Sequence, residues 1–425
     1  MRILILTQYF PPETGAAPSR LQDWTDHLAK AGHSVTVITG FPSYPKGRVF
    51  EEFRGKCFLE QRSRNIRILR CWTIVTMRRT FLWRLANYFS FVFTSFLTGL
   101  VKAGKQDVVL VEMPPLFLGI SAVLLKRLRG ARLAVNISDL WPKSAVALGF
   151  LKNQTLIRWA TSLEEYVYRE ADFISGQTTG IVKDIAARFP KKSIAYIPTG
   201  VSEAVLLQPQ LSIEDRDSIR HELQLGDKFV VVYAGLHGIA QALGTVLRAA
   251  EKLKRYDDIM FVFIGDGPEK QLLQKQMREL SLTNVRFYPP MPWARIPQVL
   301  SALDVGIVHL RKHDLFLGAL PAKLFEAMGV GIPVVLAIRG EAQALVEAAQ
   351  CGLCAEPENP SEIASAILEL YQDPGLRATL GSKGRAYVEQ HYNRRRIAER
   401  LEKSLVIHCS TRSASELQPE SALPS

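Results

Sequence analysis

Residues 320–335 read LPAKLFEAMGVGIPVV, and this stretch predicts a short helix, a glycine turn and then a buried strand. Pro321 suits the first turn of a helix, where a backbone N–H would have no partner. The N–H groups around Ala322 and Lys323 would then point out of the helix start, where they attract a phosphate. Glu326 follows one turn later on the same side, and its carboxylate can accept hydrogen bonds from a ribose diol. An ordinary capped helix with a solvated glutamate is the alternative.

Length and composition indicate a folded protein of two domains. The chain has 425 residues, which is too long for one ordinary core, and 47% of them are hydrophobic. This composition excludes an intrinsically disordered chain. The formal net charge of +12 suits nucleic acid, an anionic membrane surface or phosphorylated substrates as a partner.

The use of cysteine favours a reducing compartment. The chain has five cysteines, an odd and small number that does not suggest a disulfide framework. Cys351 and Cys354 form a CxxC without a second pair, which favours packing near a strand over zinc binding. The apolar run MRILIL stands at the very start, so we expect no signal peptide.

The first half of the chain alternates apolar runs with helical patterns. This alternation predicts a parallel, doubly wound α/β sheet, which binds ligands at the carboxyl ends of its strands. The predicted strands are 2–7, 33–39, 66–71, 108–112, 133–137, 173–175 and 195–197.

A loop rich in proline and glycine, residues 11–20, follows the first predicted strand. Gly15 would let the backbone approach a ligand closely. Arg20 would bring a positive charge to the next helix, for a phosphate or an acceptor. A plain strand–helix connection is the alternative.

A second alternating block follows a more polar stretch. Its predicted strands are 229–235, 259–265, 285–288, 304–310 and 332–337. Glycines stand just after two of these strands, at Gly235, Gly238, Gly265 and Gly267. Each could be turn chemistry alone, but their shared sheet edge favours a nucleotide cleft lined by backbone.

Six segments carry a resemblance to a known family. They are YFPPETGAAPSR, LAKAGHSVTVITGFPSYP, SDLWPKSAVALG, YAGLHGIAQAL, FIGDGPEKQLL and LPAKLFEAMGVGIPVV. In this order they resemble the retaining, nucleotide-sugar-dependent glycosyltransferases of family four, over residues 1–406. The family implies a GT-B fold, in which two Rossmann-like domains face each other across a cleft. The most similar subgroup is typified by bacterial fucosamine transferases, which act in O-antigen, capsule or exopolysaccharide synthesis.

The resemblance implies donor-binding roles for the second domain. Gly235 and Gly238 would face the donor diphosphate, and the turn from Gly265 to Gly267 would lie near the base and ribose. Glu326 matches the second glutamate of the family's E-x7-E motif, which binds the ribose.

Three further roles follow from the resemblance. Met291 would sit beside the base of the donor. The loop that holds Gly15 would close over the sugar diphosphate and the acceptor. Asp139 would lie against the transferred sugar, although a cap for the following helix is the alternative.

The sequence departs from the family pattern at two places. The first glutamate of the E-x7-E motif is replaced by Gly318. Many relatives carry an arginine and a lysine after the strand at Gly235, where this chain has Leu236 and Gln241. Backbone donors, with Arg20 or Lys323, would then have to neutralise the diphosphate.

The family's stereochemistry implies a mechanism without a protein nucleophile. Helix N-termini and cations would stabilise the charge that develops on the leaving nucleoside diphosphate. The acceptor would attack from the same face, and a departing phosphate oxygen could take its proton. We therefore expect Asp139 to position substrate, and we expect neither a cofactor nor a metal.

Residues 81–101 read FLWRLANYFSFVFTSFLTGLV, about the length of a bilayer span. A buried helix, an interfacial helix and a membrane span all remain open, and the span is the least favoured. The net charge favours an anionic membrane surface, and the family commonly uses undecaprenyl diphosphate saccharides as acceptors. We expect a cytoplasmic protein, peripheral on the cytoplasmic face of the inner membrane.

The predicted organisation is an acceptor domain at 1–200, a linker at 201–226 and a donor domain at 227–385. A helix at 386–408 would cross back onto the first domain, and 409–425 would be a disordered tail. A GT-B-fold epimerase and a catalytically silent family member remain alternatives. Nucleic-acid binding is not expected, because no recognised motif accompanies the positive charge.

Overall fold

The computed structural model describes residues 1–43, 47–76, 81–208 and 211–409, with only the backbone of Phe81 and Arg84. The chain divides into two compact units. The first unit contains Met1–Pro198 together with the segment from Arg395 onward, and the second contains Thr199–Arg394.

The first unit is built on an eight-stranded sheet in the order β3-β4-β2-β1-β5-β6-β7-β8. Only β3 runs antiparallel to its neighbour. The strands are β1 Arg2–Leu6, β2 Ser34–Gly40, β3 Phe58–Ser63, β4 Ile66–Cys71, β5 Val108–Met113, β6 Arg132–Ile137, β7 Phe173–Gly176 and β8 Ile194–Tyr196. The helices are α1 Ala16–Lys30, α2 Phe81–Val101, α3 Leu118–Arg129, α4 Lys143–Ala147, α5 Gln154–Glu170 and α6 Thr179–Arg188. Its central strands are almost wholly apolar, as expected when helices cover both faces of a parallel sheet.

The second unit has a six-stranded parallel sheet in the order β11-β10-β9-β12-β13-β14. Its strands are β9 Phe229–Ala234, β10 Ile259–Ile264, β11 Val285–Tyr288, β12 Val305–His309, β13 Val334–Ala337 and β14 Gly352–Cys354. Its helices are α7 Glu203–Leu206, α8 Ile213–Glu222, α9 Gly244–Lys252, α10 Lys270–Glu279, α11 Ile296–Ser301, α12 Ala322–Val330, α13 Glu341–Ala349, α14 Pro360–Gln372 and α15 Pro374–His391. The predicted α/β class with two parallel-sheet domains is therefore confirmed.

The predicted linker at 201–226 is wrong, because this segment folds as part of the second unit. Val201 and Leu225 are buried in its core. Arg220 donates to the carbonyl of Ala302 at 3.0 Å and pairs with Asp304 at 3.4 Å. The polar composition that suggested a linker belongs to the exposed side of α8.

The last helix, α16 Arg394–Cys409, packs in the core of the first unit. It begins later than the predicted start at 386, because α15 ends at His391 before it. Its apolar side chains Ile397, Leu401 and Leu405 are fully buried. Cys409 is also buried and ends this helix, so its assignment to the disordered tail is wrong. Residues 410–425 lie outside the described residues.

Candidate functional site

Two glycine turns meet at the carboxyl edge of the second sheet, after β9 and β10. A Cβ atom on Gly265 would lie 2.0 Å from the carbonyl oxygen of Gly235, and one on Gly267 would lie 2.3 Å from that of His237. Gly235 and Gly265 both have a φ of 140°, which favours glycine. The N–H of His237 donates to the carbonyl of Asp266 at 2.9 Å. The turns therefore interlock, and loop packing by itself explains why Gly265 and Gly267 are glycines.

Lys323 extends from the first turn of α12 to the turn after β9. Its ammonium donates to the hydroxyl of Tyr233 at 2.9 Å and lies 4.4 Å from the centre of that ring. The Tyr233 hydroxyl in turn donates to the carbonyl of Leu236 at 2.7 Å. A Cβ atom on Gly235 would lie 3.2 Å from the ammonium, so Lys323 lies directly against this turn.

The amino end of α12 has no side-chain cap. Its N-cap residue, Pro321, makes no side-chain capping hydrogen bond, and Ala322 is the first helical residue. The N–H groups of this turn, the positive end of the helix and Lys323 are therefore close together. Such a combination attracts a phosphate or diphosphate.

Glu326 lies one turn further along α12 and is half-buried. Burial raises the pKa of its carboxyl, while the positive charges of Arg394 and Lys323 oppose this rise. The side chain of Arg394 is itself buried and donates to the carbonyls of Thr199 at 3.0 Å and Gly200 at 3.2 Å. Within the described part of the chain, no side chain or backbone group donates a hydrogen bond to the Glu326 carboxylate, which leaves it able to accept from a hydroxyl-rich ligand.

The other predicted donor-site residues lie around this edge. Met291 follows β11, is half-buried and packs against the core of the second unit. Gly238 begins a short turn, where a Cβ atom would lie 2.7 Å from the Gln241 side-chain oxygen. Both positions are consistent with the site but have no contact that assigns them a role.

His237 is a residue of this edge that the sequence did not reveal. Its side chain is fully buried against Tyr233, Phe263 and Phe287. Within the described residues, neither ring nitrogen has a hydrogen-bond partner. Burial, with help from the charge of Lys270, lowers the pKa of this imidazole to about 4. A neutral histidine therefore lies beneath the turn that Lys323 contacts.

Because His237 is held neutral, we expect the stability of the protein to depend on pH. The unfolded chain binds a proton near the ordinary pKa of 6.5, whereas the folded protein resists protonation until about pH 4. The free energy of unfolding should therefore fall as the pH decreases from about 6.5 to about 4, by roughly 3 kcal/mol from this residue. Urea unfolding across this range should show a shallower dependence in His237→Phe. An unchanged slope in the variant would refute the assignment.

In the first unit, the structure corrects the role predicted for Arg20. Its side chain is buried, with 1% of its surface exposed, and it pairs with Glu112 at 2.6 Å. Its charge is thus already neutralised inside the unit. The prediction that Arg20 serves a phosphate or acceptor is therefore wrong, and Lys323 remains as the predicted cation that lies at the donor edge.

Gly15 and Asp139 occupy loops at the carboxyl edge of the first sheet. Gly15 is the N-cap of α1 and has a φ of 147°. Asp139 is an exposed residue whose carboxylate accepts from the Ser144 hydroxyl at 2.7 Å. Although much of Asp139 is exposed, partial burial of its carboxyl raises the pKa, and the hydrogen bond from Ser144 opposes this rise. The hydrogen bond between Ser144 and Asp139 therefore stabilises the turn that precedes α4. The role of Asp139 in binding substrate stays a prediction.

Most of the chain matches models of known protein families. The family model described as "Glycosyl transferase 4-like domain" matches residues 15–200. The model described as "Glycosyl transferases group 1" matches residues 215–387, which include the turns after β9 and β10 and all of α12. The chain belongs to the glycosyltransferases that these two models describe.

Among its relatives is the Escherichia coli protein named "Putative colanic acid biosynthesis glycosyl transferase WcaI". It is 27% identical over 380 residues, which cover 86% of this chain and 91% of the relative. A second relative, "Probable glycosyltransferase WbjE" of Pseudomonas aeruginosa, is 26% identical and covers 72% of this chain and 75% of its own length. Both relatives carry glycosyltransferase names.

A solved structure supports the fold. The Anabaena protein HepE, described as a complex with UDP and glucose, superposes with a TM-score of 0.71 at 20% identity. The match covers 95% of this chain and 99% of HepE. The predicted GT-B fold class is thus confirmed.

Proposed function

We propose that this glycosyltransferase moves a sugar from a UDP-linked donor to a lipid-linked saccharide during synthesis of a bacterial surface polysaccharide. The observation that carries the proposal is the Lys323–Tyr233 pair against the turn after β9, at the uncapped amino end of α12. A diphosphate placed there would have Glu326 one turn away for the ribose. The colanic acid relative and the HepE complex with UDP support the same class of donor and product.

The proposed reaction retains the configuration of the sugar and uses no protein nucleophile. Lys323 and the N–H groups of α12 would stabilise the charge on the leaving UDP. A departing phosphate oxygen would take the proton of the attacking hydroxyl, and Asp139 would hold the sugar or acceptor. Because these groups supply positive charge at the diphosphate, we propose that no divalent metal is needed. The resemblance to fucosamine transferases supports an N-acetylated amino sugar as the transferred group.

The proposal is tested by turnover of purified protein. UDP release from a panel of UDP-sugars, including UDP-N-acetylfucosamine, is measured with a bacterial extract of undecaprenyl diphosphate saccharides and a chelator. We expect release with one donor that depends on the extract, and a product with the anomeric configuration of the donor by NMR. Interconversion of free UDP-sugars would favour an epimerase. No turnover despite nucleotide binding would favour a silent family member.

The helix α2 supports the proposed membrane partner, because its polar side chains face inward. Asn87 accepts from the Gln8 side chain at 2.5 Å and donates to the carbonyl of Ile74 at 2.7 Å. Ser95 is buried and lies 3.4 Å from the hydroxyl of Ser121. The small polar groups of α2 thus bind the protein itself, and Phe91 packs in the core, whereas other large apolar side chains of the helix remain exposed.

The outward stripe of α2 consists of Phe89, Phe93, Leu97 and Val101, which recur every fourth residue and are 40–70% exposed. Phe89 contacts Phe117 in a tilted arrangement, with 4.6 Å between ring centres. Trp159 of α5, which is 51% exposed, lies 5.8 Å from the same ring. The stripe therefore continues across α5.

Exposed basic residues stand next to this surface in the sequence: Lys102 and Lys105 follow the end of α2, and Arg158 directly precedes Trp159. An apolar surface accompanied by basic residues fits the interface of an anionic bilayer. In the described part of the chain, no helix is long and apolar enough to cross a membrane. We propose that the protein binds the cytoplasmic face of the inner membrane through the stripe.

Vesicle binding tests this surface. Because burying one large apolar side chain is worth about 1.5–3 kcal/mol, Phe93→Ser/Leu97→Ser should weaken binding to phosphatidylglycerol vesicles by at least about tenfold. Leu272→Ser is a matched control, since Leu272 is 60% exposed on α10 of the other unit. Co-sedimentation is the measurement, with phosphatidylcholine vesicles for comparison. Equal loss of binding in the control, or none in the double variant, would contradict the proposal.

A further inference from the structure

A buried row of polar side chains crosses the first sheet near the carboxyl ends of β5, β6 and β7. Glu112 is paired with Asn136 in the strand register, and Asn136 is paired with Ser175. All three are at most 5% exposed, in strands that are otherwise mainly apolar. A polar row in this place costs stability unless each group is hydrogen-bonded.

Glu112 is the centre of this row. One of its oxygens pairs with the Arg20 guanidinium at 2.6 Å and also accepts from the hydroxyl of Ser138. The other accepts from the Asn136 amide at 2.6 Å. The Ser175 hydroxyl donates to Asn136 at 2.8 Å, so the network spans three strands.

Two loops that matter for the proposed reaction are attached to this single carboxylate. Arg20 lies in the second turn of α1, whose N-cap is Gly15. Ser138 directly precedes Asp139 and also accepts from the Arg20 side chain at 3.3 Å. The network therefore fixes the Gly15 loop and the Asp139 turn with respect to each other, although they are distant in the sequence.

We propose that Glu112 is a positioning residue, which holds the Gly15 loop and the Asp139 turn in the one arrangement that binds the sugar and acceptor. This inference rests on the proposed function, which assigns those two loops to substrate. Buried ion pairs often contribute little net stability, so a role in geometry explains why a charged pair occupies this core. Glu112 itself need not touch the substrate.

The test compares Glu112→Gln with a matched control, Glu164→Gln. Glu164 is also a buried carboxylate of the first unit, with Arg188 at 2.6 Å, but it lies on α5. Amide hydrogen exchange is measured for segments 11–20 and 138–148 of both variants, with UDP affinity, turnover and thermal midpoint. A third variant, Ser138→Ala, removes one attachment and leaves the Arg20–Glu112 pair in place, in case Glu112→Gln does not fold.

We expect Glu112→Gln to speed exchange in both segments and to lower kcat by at least about tenfold, because small misplacements of reacting groups slow catalysis strongly. Its UDP affinity should stay within about twofold of wild type, since the donor groups lie in the other unit. Ser138→Ala should speed exchange in 138–148 alone.

The inference would be overturned if Glu112→Gln sped exchange in neither segment or in only one, or if the Glu164→Gln control changed as much. It would also be overturned if both segments of Glu112→Gln exchanged faster while kcat stayed unchanged. Should Glu112→Gln not fold, unchanged exchange of segment 138–148 in Ser138→Ala would overturn it. If wild type shows no turnover, the proposed function fails, whereas the exchange data still decide whether Glu112 joins the two loops.

Discussion

Replacing Lys323 with alanine is expected to weaken UDP binding by about ten- to a hundredfold. A hydrogen bond to a charged group contributes about 1.5–3 kcal/mol, and the ammonium of Lys323 lies directly against the turn after β9. The fold should be little affected, because the ammonium's hydrogen-bond partner is a single tyrosine hydroxyl. Calorimetric titration of UDP is the measurement.

The effect must come from position and not from net charge. Lys383→Ala is the matched control, since Lys383 lies in the same unit on α15. Its ammonium donates an exposed hydrogen bond to the side-chain oxygen of Gln350 at 2.6 Å. Tyr233→Phe removes the hydroxyl that holds Lys323 and should have an intermediate effect. Equal UDP affinity in Lys323→Ala and Lys383→Ala would remove Lys323 from the diphosphate site.

Replacing Glu326 with glutamine is expected to raise the Kd for UDP by about tenfold or more, because the neutral amide is a weaker acceptor for ribose hydroxyls. The loss should depend on those hydroxyls. Wild type should bind UDP more tightly than 2′-deoxy- or 3′-deoxy-UDP, and Glu326→Gln should lose most of that preference.

The affinity of Glu326 for the ribose hydroxyls should also depend on pH. Burial raises the pKa of the Glu326 carboxyl, so the ionised form that accepts both hydroxyls becomes populated only as the pH rises. UDP affinity should therefore increase with pH across the acidic range in wild type and change less in Glu326→Gln. Glu369→Gln, an exposed carboxylate on α14, serves as control. If Glu326→Gln keeps the full preference for UDP over both deoxy forms, then Glu326 does not bind the ribose.

The features that sequence reasoning found are those with a local signature. The run LPAKLFEAMG contains its own helix start, and the spacing of Lys323 and Glu326 places them one turn apart. The glycines after β9 and β10 were also visible, although the structure shows that two of them serve loop packing. The alternating apolar runs predicted nearly all central strands, because a buried parallel strand is apolar throughout.

The features that sequence reasoning does not reveal depend on residues that are far apart in the sequence. Tyr233 and Lys323 are 90 positions apart, and Arg20 and Glu112 are 92 apart. The sequence around Arg20 does not show that the buried carboxylate of Glu112 neutralises its charge. Sequence reasoning therefore predicts a free cation where the structure has an internal ion pair. The sequence predicts a linker at 201–226 because the polar residues on the exposed side of α8 outnumber the few apolar residues that attach this segment to the second unit.

The most direct test of the account is calorimetric titration of UDP into wild-type protein and into the double variant Lys323→Ala/Glu326→Gln, both with a chelator. The account predicts saturable one-to-one binding by wild type and no measurable binding by the double variant, with the fold of both retained by circular dichroism. Binding of GDP in place of UDP would keep the site and change the donor. Binding of neither nucleotide by wild type, or equal binding of UDP by the double variant, would contradict the donor site at α12.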